Sequence, residues 1–271
     1  KVESWTNHLY TGTLQNFEGN SISAIMTHDH RVPYKKDQRY GLTEKLAETG
    51  PGTFMPLGNN YVGGAEIVPA RLIAAFMADG HQKSTNRMEF HFHKPRKFSR
   101  LLELLQMYSY EYEIKEEHNK IIVVGGLPKT PGAFMLNWTK ECIAEFIDEY
   151  KFWDGTVAPT MVTIYSSKKE DLEWLQTLGR IVGIGGVLSD GGISGYGTQM
   201  YRLSQNHRLY ASGVSVKHTK IPVTDVSVYC PTVKSSWFYV RRNNKIYITG
   251  NTSYLGTAFT MSRHLKVPVR T

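Results

Sequence analysis

Two segments of the chain place apolar residues at helical spacing and end on the dipeptide Asp-Gly. The first is Leu-Ile-Ala-Ala-Phe-Met-Ala-Asp-Gly at 72–80, and the second runs from Cys142 to Gly155. Each segment therefore puts a carboxylate, Asp79 or Asp154, at the C-terminus of a helix. The helix dipole disfavours negative charge there, and a nearby cation would relieve it. Two such ends brought together would form a site for a divalent metal ion.

The segments that follow the two Asp-Gly pairs resemble each other. Alternation and leucine spacing after Asp79 predict a strand, a helix and two strands, at 88–93, 98–109, 112–115 and 120–124. The same order is predicted after Asp154, at 160–165, 168–182, 186–189 and 199–204. The order of elements thus occurs twice, with the two aspartates 75 positions apart (154 − 79). This repetition predicts a pseudo-twofold duplication.

The regions on either side lack long helices. Alternating patterns at 10–14, 22–27, 226–233 and 237–240 predict short strands, and 242–245 a hairpin turn. We therefore expect an α+β protein in which an α/β domain, 67–206, is inserted in an all-β domain made of 1–66 and 207–251. Residues 252–271 form a separate C-terminal segment in this scheme.

Composition narrows the partners and the compartment. The formal net charge is +8 over 271 residues. This balance suits a polyanion such as nucleic acid, although many proteins are mildly basic for no such reason. No apolar run approaches the roughly 20 residues of a membrane span, so no membrane partner is expected. With only two cysteines, Cys142 and Cys230, a disulfide framework is not expected, and a reducing cytoplasm fits better.

The two Asp-Gly helices resemble the paired signature helices of LAGLIDADG (dodecapeptide, DOD-type) homing endonucleases. In the first helix, the small residues Ala74 and Ala78 stand where that family packs two helices closely. In the second, Glu149 and Trp153 occupy the corresponding positions. The resemblance implies a duplicated αββαβ-type domain that cuts double-stranded DNA at a specific site.

The flanking regions resemble the Hint splicing domain of inteins. Thr27-His28-Asp29-His30 matches its T-x-x-H motif, and 228–233 and 248–252 are similar to its two C-terminal motifs. The motif with the first nucleophile is missing, Gly250 stands where His is usual, and Cys230 where Asp is common. The resemblance implies a splicing domain, with 252–271 as host protein, the C-extein. A split intein completed by an N-terminal fragment and a truncated sequence both remain open.

The endonuclease resemblance assigns metal chemistry to the helix ends. Asp79 and Asp154, with the main-chain carbonyls of Ala78 and Trp153, would bind Mg²⁺ or another divalent cation for phosphodiester hydrolysis. The alternative is that Asp-Gly merely ends a helix, as it often does. A general-base lysine could be either Lys115 or Lys120.

Strand residues and the basic residues after them would contact DNA, with the intein-less allele of the host gene as the target. The candidates are Glu89, His91, His93, Lys94, Arg96, Lys97 and Arg100 in the first half, and Thr163, Tyr165, Lys168 and Lys169 in the second. For any one of them, a solvated surface role is the alternative. A non-cutting DNA-binding protein is the alternative for the domain as a whole.

The splicing resemblance assigns a second chemistry. Asn251 would cyclise and break its bond to Thr252, whose hydroxyl would be the acceptor nucleophile. Thr27 and His30 would polarise and protonate the upstream amide. Cys230 would donate a proton or carry a thioester, or would simply fill a buried space. The remaining alternative is a remnant in which only the Asn251 cyclisation survives.

Overall fold

The computed structural model describes residues 2–37, 43–52, 54–57, 64–206, 210–234 and 237–250. The chain divides into two compact units. We call the two units outer and inner by their order along the sequence. The outer unit comprises 1–60, 183–187 and 207–271, and the inner unit comprises 61–182 and 188–206. The predicted splicing residues Asn251 and Thr252, and the segment 252–271, lie outside the described residues.

The helices and strands are numbered here in chain order. The first strands are β1 (Val2–Glu18), β2 (Ser23–Thr27), β3 (Arg31–Tyr34), β4 (Thr43–Leu46) and β5 (Phe54–Pro56). Then follow α1 (Ala70–Asp79), β6 (Gly80–Ser84), β7 (Arg87–His91), α2 (Pro95–Met107), β8 (Tyr112–Lys115) and β9 (Lys120–Val124). The next set is α3 (Lys140–Asp154), β10 (Gly155–Ala158), β11 (Met161–Ser166), α4 (Lys169–Ile181), β12 (Gly185–Ile193) and β13 (Gln199–Asn206). The last strands are β14 (Tyr210–Ser212), β15 (Lys217–Val233), β16 (Trp237–Arg242) and β17 (Lys245–Gly250).

The inner unit contains the same arrangement twice. Its two four-stranded sheets have the orders β6-β7-β9-β8 and β10-β11-β13-β12, so equivalent strands occupy equivalent places. The predicted strands at 112–115 and 120–124 are confirmed, and α2 begins earlier than predicted because Pro95 is suited to the first turn. Each half is αββαββ, one strand more than the αββαβ arrangement that the family resemblance implies. The strand that the hydrophobic pattern did not predict is the edge strand that begins at Gly80 or Gly155, directly after the aspartate.

The helices of the inner unit bury apolar faces against its sheets. Leu72 and Phe76 of α1, Phe90 of β7 and Leu101 of α2 are fully buried in one cluster that also contains Trp153 of α3. Each such side chain contributes roughly 1.5–3 kcal/mol by leaving water. Helix α1 also packs directly against α3. This contact brings the ends of the two Asp-Gly helices into one region.

The outer unit is built mainly from strands. Strands β1 and β15 pair antiparallel from Val2–Val233 to Glu18–Lys217, and β2 extends this sheet on the other side of β1. Its buried cluster includes Phe17 and Met26. The predicted strands at 10–14, 22–27, 226–233 and 237–240 are confirmed, but β1 and β15 extend well beyond them. The two strands are long because they pair with each other although they lie some two hundred positions apart in the sequence, and no local pattern can predict such a pairing.

Among the residues that the structure describes, no helix combines the length and the hydropathy needed to cross a membrane.

Candidate functional site

The carboxylates at the ends of α1 and α3 share one ammonium group. Lys97 Nζ lies 2.5 Å from Asp79 Oδ2 and 3.8 Å from Asp154 Oδ1. The lysine side chain is 12% exposed, and those of the aspartates are 24% and 31% exposed. The structure therefore brings the two predicted metal ligands together, with a cation already between them.

The surroundings of these carboxylates disfavour their negative charge. Burial raises the pKa of Asp154, and the negative charge of Asp79 raises it further, whereas Lys97, Lys129 and Lys94 oppose the shift. Both carboxylates also stand at helix C-termini, where the dipole adds to the negative potential. The site consequently favours cations, and in this structure protein ammonium groups meet that demand.

Lys129 carries the second of these ammonium groups and was not predicted from the sequence. Its Nζ donates hydrogen bonds to the carbonyl oxygens of Phe76 and Met77, each at 2.8 Å, in the last turn of α1. Burial lowers the pKa of Lys129, and the nearby charge of Lys168 lowers it further. Lys129 lies in the irregular segment between β9 and α3, where no periodic sequence pattern indicates a functional residue. Its relation to the site is evident only from its contacts with the end of α1 in the structure.

The two lysines proposed as general bases have other partners. Lys120 Nζ forms a 3.2 Å ion pair with Glu89, a predicted DNA-binding residue that is 7% exposed. Burial alone would raise the pKa of Glu89, but the hydrogen bond from Lys120 leaves it lowered. Lys115 lies 3.7 Å from Glu113 on an exposed surface. Neither of these described contacts involves Asp79 or Asp154, so Lys97 and Lys129 are the better candidates for basic groups at the site.

Glu149 is buried at the junction of three helices. It accepts hydrogen bonds from Arg100 Nε and Nη2 of α2, at 2.9 and 2.6 Å, and from Arg71 Nη1 of α1 at 3.3 Å. The indole Nε1–H of Trp153 donates to the same carboxylate at 3.1 Å. Trp153 in turn stacks on Phe92. Glu149 and Trp153, which in α3 take the positions that Ala74 and Ala78 have in α1, are thus accommodated by a hydrogen-bonded cluster.

The predicted DNA-binding residues of the first half separate into two groups. His91, His93 and Lys94 are exposed, whereas Glu89 is buried and paired with Lys120 instead of facing solvent. Arg96 is exposed, with Nη1 3.0 Å from the carbonyl of Phe152 and its guanidinium over the Phe152 ring. Arg100 is held by Glu149 and Glu103 instead of being presented to solvent, and Glu149 raises its pKa.

The second half presents little positive charge at the equivalent places. Tyr165 and Lys168 are exposed, Thr163 is half-buried, and Lys169 pairs with Glu173 at 3.5 Å. Helix α2 begins near Lys94, Arg96, Lys97 and Arg100, while the start of α4 carries Lys168, Lys169, Glu170 and Asp171. Strands β10 and β11 contain no charged residue. The basic character of the duplicated domain is therefore concentrated in its first half.

The residues at the helix ends fit a divalent cation of the Mg²⁺ type. Two carboxylates are the usual protein contribution, since Mg²⁺ retains water and takes phosphate oxygens for its other positions. Within the described ranges, no group of three or more His, Cys, Asp or Glu residues is placed to hold a metal. The position of Lys97 shows that this pair of carboxylates binds positive charge. The roles predicted for the carbonyls of Ala78 and Trp153 stay predictions.

The predicted splicing residues of the outer unit meet in part. The backbone N–H of His30 donates to the carbonyl of Thr27 at 3.3 Å, and both residues are buried. The ring Nε2 of His30 is hydrogen-bonded to Thr249 Oγ1 in β17, two positions before Asn251. Cys230 is 7% exposed in β15 and forms no disulfide. Burial, with the charge of Arg31, lowers the pKa of His30 to about 3.

Comparison with known proteins found no matching family model and no matching curated relative. Among solved structures, a variant of the homing endonuclease I-DmoI in complex with target DNA and manganese is 13% identical, with a TM-score of 0.38 over 51% of this chain and 86% of that chain. I-DmoI with DNA and manganese is also 13% identical, with a TM-score of 0.36 over 51% and 88%. Full-length DUF199/WhiA from Thermotoga maritima is 15% identical, with a TM-score of 0.34 over 52% of this chain and 53% of that one. These comparisons give no support for a splicing domain.

Proposed function

We propose that the inner unit is a divalent-metal-dependent DNA endonuclease of the LAGLIDADG type. The observation that carries this proposal is the meeting of Asp79 and Asp154 on a single ammonium group, at the ends of two packed helices that occupy equivalent places in a duplicated domain. An isolated Asp-Gly helix end would not need a partner. Two that converge on a cation supply the oxygen ligands expected at a phosphodiester-cleaving centre.

Asp79 and Asp154 would hold the divalent cation, which when bound would supply an activated water and stabilise the charge on the leaving oxygen. Lys129 is held in place by two carbonyls of α1, so it adds a fixed positive charge beside the carboxylates. Such a charge stabilises the negative charge that develops on phosphate oxygens in the transition state.

DNA binding would depend mainly on the first half. His91, His93, Lys94 and Arg96 are exposed on the strand end and helix start that follow Asp79. Lysine and arginine at such places neutralise phosphates and fix the register of the protein on the duplex. The second half, with Thr163 and Tyr165 on an uncharged strand, would contribute hydroxyl and apolar contacts to base edges.

A non-cutting DNA-binding protein is the competing function, and one observation favours it. Lys97 already forms ion pairs with both carboxylates, so part of their negative charge is compensated without a metal ion. In that case the basic surface would bind duplex DNA, and the Asp-Gly ends would have only a structural role.

Selection from a randomised duplex library separates the two functions. Duplexes retained in Ca²⁺ are sequenced, resynthesised and transferred to Mg²⁺. The endonuclease proposal predicts cleavage of both strands at one position of the selected sequence, and no cleavage in EDTA. Selective binding with no cleavage in Mg²⁺ or Mn²⁺ would identify a binding protein. No selective binding would contradict both functions.

We further propose that the outer unit is a splicing-type domain, a function that one contact favours. The hydrogen bond between His30 and Thr249 joins the T-x-x-H turn to the strand that leads into Asn251. Both residues are buried, so His30 is fixed beside the C-terminal motif. Because its pKa is lowered to about 3, its ring is neutral near pH 7 and would act there as a base, not as the proton donor that the sequence suggested. Mass spectrometry after incubation with a supplied N-terminal splicing segment is the test. Release of a peptide that begins at Thr252 by the parent chain, but not by Asn251→Ala, supports this function, and equal release by both contradicts it.

A further inference from the structure

Lys97 is the only one of the early α2 basic residues with a described ion pair to both metal-site carboxylates. It is the third residue of α2, and its side chain extends to the ends of α1 and α3. Its Nζ also lies 5.9 Å from the centre of the Trp153 ring. The ammonium group therefore stands where a cation bound to Asp79 and Asp154 would stand.

The other half of the duplicated domain has no equivalent lysine. Helices α2 and α4 both have 13 residues, and Lys94 and Lys168 precede them at the N-cap. The third residue of α4 is Asp171, so a carboxylate takes the place that Lys97 has in the first half. The lysine between the carboxylates is therefore a feature of one half and not a product of the duplication.

We propose that Lys97 is a built-in counter-ion of the metal site, which holds Asp79 and Asp154 together without a metal and must leave them when a divalent cation binds. This inference rests on the proposed endonuclease function, because it assumes that the two carboxylates are the metal ligands. An ammonium 2.5 Å from Asp79 Oδ2 occupies the space that a metal ion would take at that oxygen. The two cations also repel each other, so both cannot remain on the same oxygens.

Two effects of opposite sign follow from removal of the ammonium. Without metal, Lys97→Met leaves two partly buried carboxylates facing each other, so the melting temperature of the inner unit falls. With metal, the same variant binds the cation without having to displace an ammonium, so its affinity rises. A residue with only a structural role would lower both the stability and the metal affinity.

Mn²⁺ titration by calorimetry and electron paramagnetic resonance measures the metal affinity directly, without DNA. We expect Lys97→Met to bind Mn²⁺ at least tenfold more tightly than the parent chain, and Lys97→Arg to bind it no more tightly. Lys94→Met is the matched control, because Lys94 also acts on the charge of Asp154 but forms no described ion pair with it. Its affinity should rise less than threefold.

Acylation of lysines in the parent chain provides a second measurement that needs no variant. The reactivity of Lys97 towards a neutral acylating reagent should rise several-fold when Mn²⁺ is added, because the displaced side chain is no longer paired with the carboxylates and the reagent can reach its free-amine form, while that of Lys94 should not change.

The outcomes distinguish this inference from the proposed function. Equal tightening in Lys97→Met and Lys94→Met, weaker binding by Lys97→Met, or unchanged reactivity of Lys97 in a chain that binds Mn²⁺ would overturn the inference alone. Failure of every variant and of the parent to bind Mn²⁺ at Asp79 and Asp154 would overturn the proposed function as well.

Discussion

Replacement of Glu149 tests whether the cluster between the helices holds the inner unit together. The carboxylate is 3% exposed and accepts hydrogen bonds from Arg71, Arg100 and Trp153. Glu149→Ala leaves two guanidinium groups and a buried indole N–H without this partner. Breaking one side of a buried ion pair costs about 3–5 kcal/mol. We expect the lower end, about 3 kcal/mol, because the arginine side chains are about a quarter exposed and regain some hydration.

Two further variants separate charge from hydrogen bonding. Glu149→Gln keeps an oxygen acceptor for Trp153 but removes the charge, so its cost should lie between zero and that of the alanine variant. Glu145→Gln is the matched control on the same helix. Glu145 lies 3.7 Å from Arg71, but its side chain is 45% exposed. Exposed pairs contribute only about 0.2–1 kcal/mol, and a small effect is expected.

Urea unfolding followed by circular dichroism and tryptophan fluorescence gives the free energy of unfolding for each variant. We expect the loss of stability to be largest for Glu149→Ala, smaller for Glu149→Gln and smallest for Glu145→Gln. A loss below about 1 kcal/mol for Glu149→Ala, or an equal loss for Glu145→Gln, would refute the view that the buried carboxylate is a structural centre.

Three further predictions address the site, the DNA surface and the outer unit. Lys129→Met should slow cleavage of the selected duplex by about 10²–10³ in single-turnover assays, because a fixed charge beside the reacting phosphate is lost; an unchanged rate would exclude that role. Lys94→Ala and Arg96→Ala should each reduce the slope of log affinity against log salt by about 0.9 in filter-binding titrations, whereas unaltered slopes would show that these residues make no phosphate contact. The pKa of His30 is lowered to about 3 in the folded state, from about 6.5 in an unfolded chain, so the unfolded state takes up a proton first. The contribution of His30 to the stability of the outer unit should then be complete above pH 6.5, and the free energy of unfolding should fall by at most roughly 1.4 kcal/mol per pH unit towards pH 3. In unfolding measurements at several pH values, His30→Gln should show a weaker pH dependence than the parent. Parallel profiles for parent and variant would contradict this prediction.

The local pattern of hydrophobic and polar residues was sufficient to predict the helices and strands that bury an apolar face. Helix α4, with Leu172, Leu175 and Leu178 at helical spacing, and strand β9 were predicted within one residue of their observed bounds. Strands β6 and β10 were missed because Gly80–Ser84 is mostly exposed and polar, and Gly155–Ala158 is short and exposed. Their extended conformation comes from pairing with β7 and β11, which is a tertiary effect.

The pair of carboxylates at the site could be predicted because the sequence duplication makes two distant residues equivalent. The repeated order of elements indicated that Asp79 and Asp154 would be equivalent, and the structure brings them to one ammonium group. The identity of that group as Lys97 and the approach of Lys129 to α1 depend on how α2 and an irregular segment pack. The partners of Glu149 lie 78 and 49 positions away, at Arg71 and Arg100, so no local rule could have named them.

Single-turnover cleavage of the selected duplex in Mg²⁺ shows whether Asp79 and Asp154 form the metal centre. Asp79→Asn and Asp154→Asn should each slow cleavage at least about a hundredfold, because a metal ligand is lost, while Ca²⁺-supported binding of the duplex is largely kept. Asp148→Asn is the control, since this α3 carboxylate is 64% exposed and pairs with Lys151. It should cut at the parent rate. Parent-like cleavage by either Asp79→Asn or Asp154→Asn would contradict the assignment of the paired carboxylates as the metal centre.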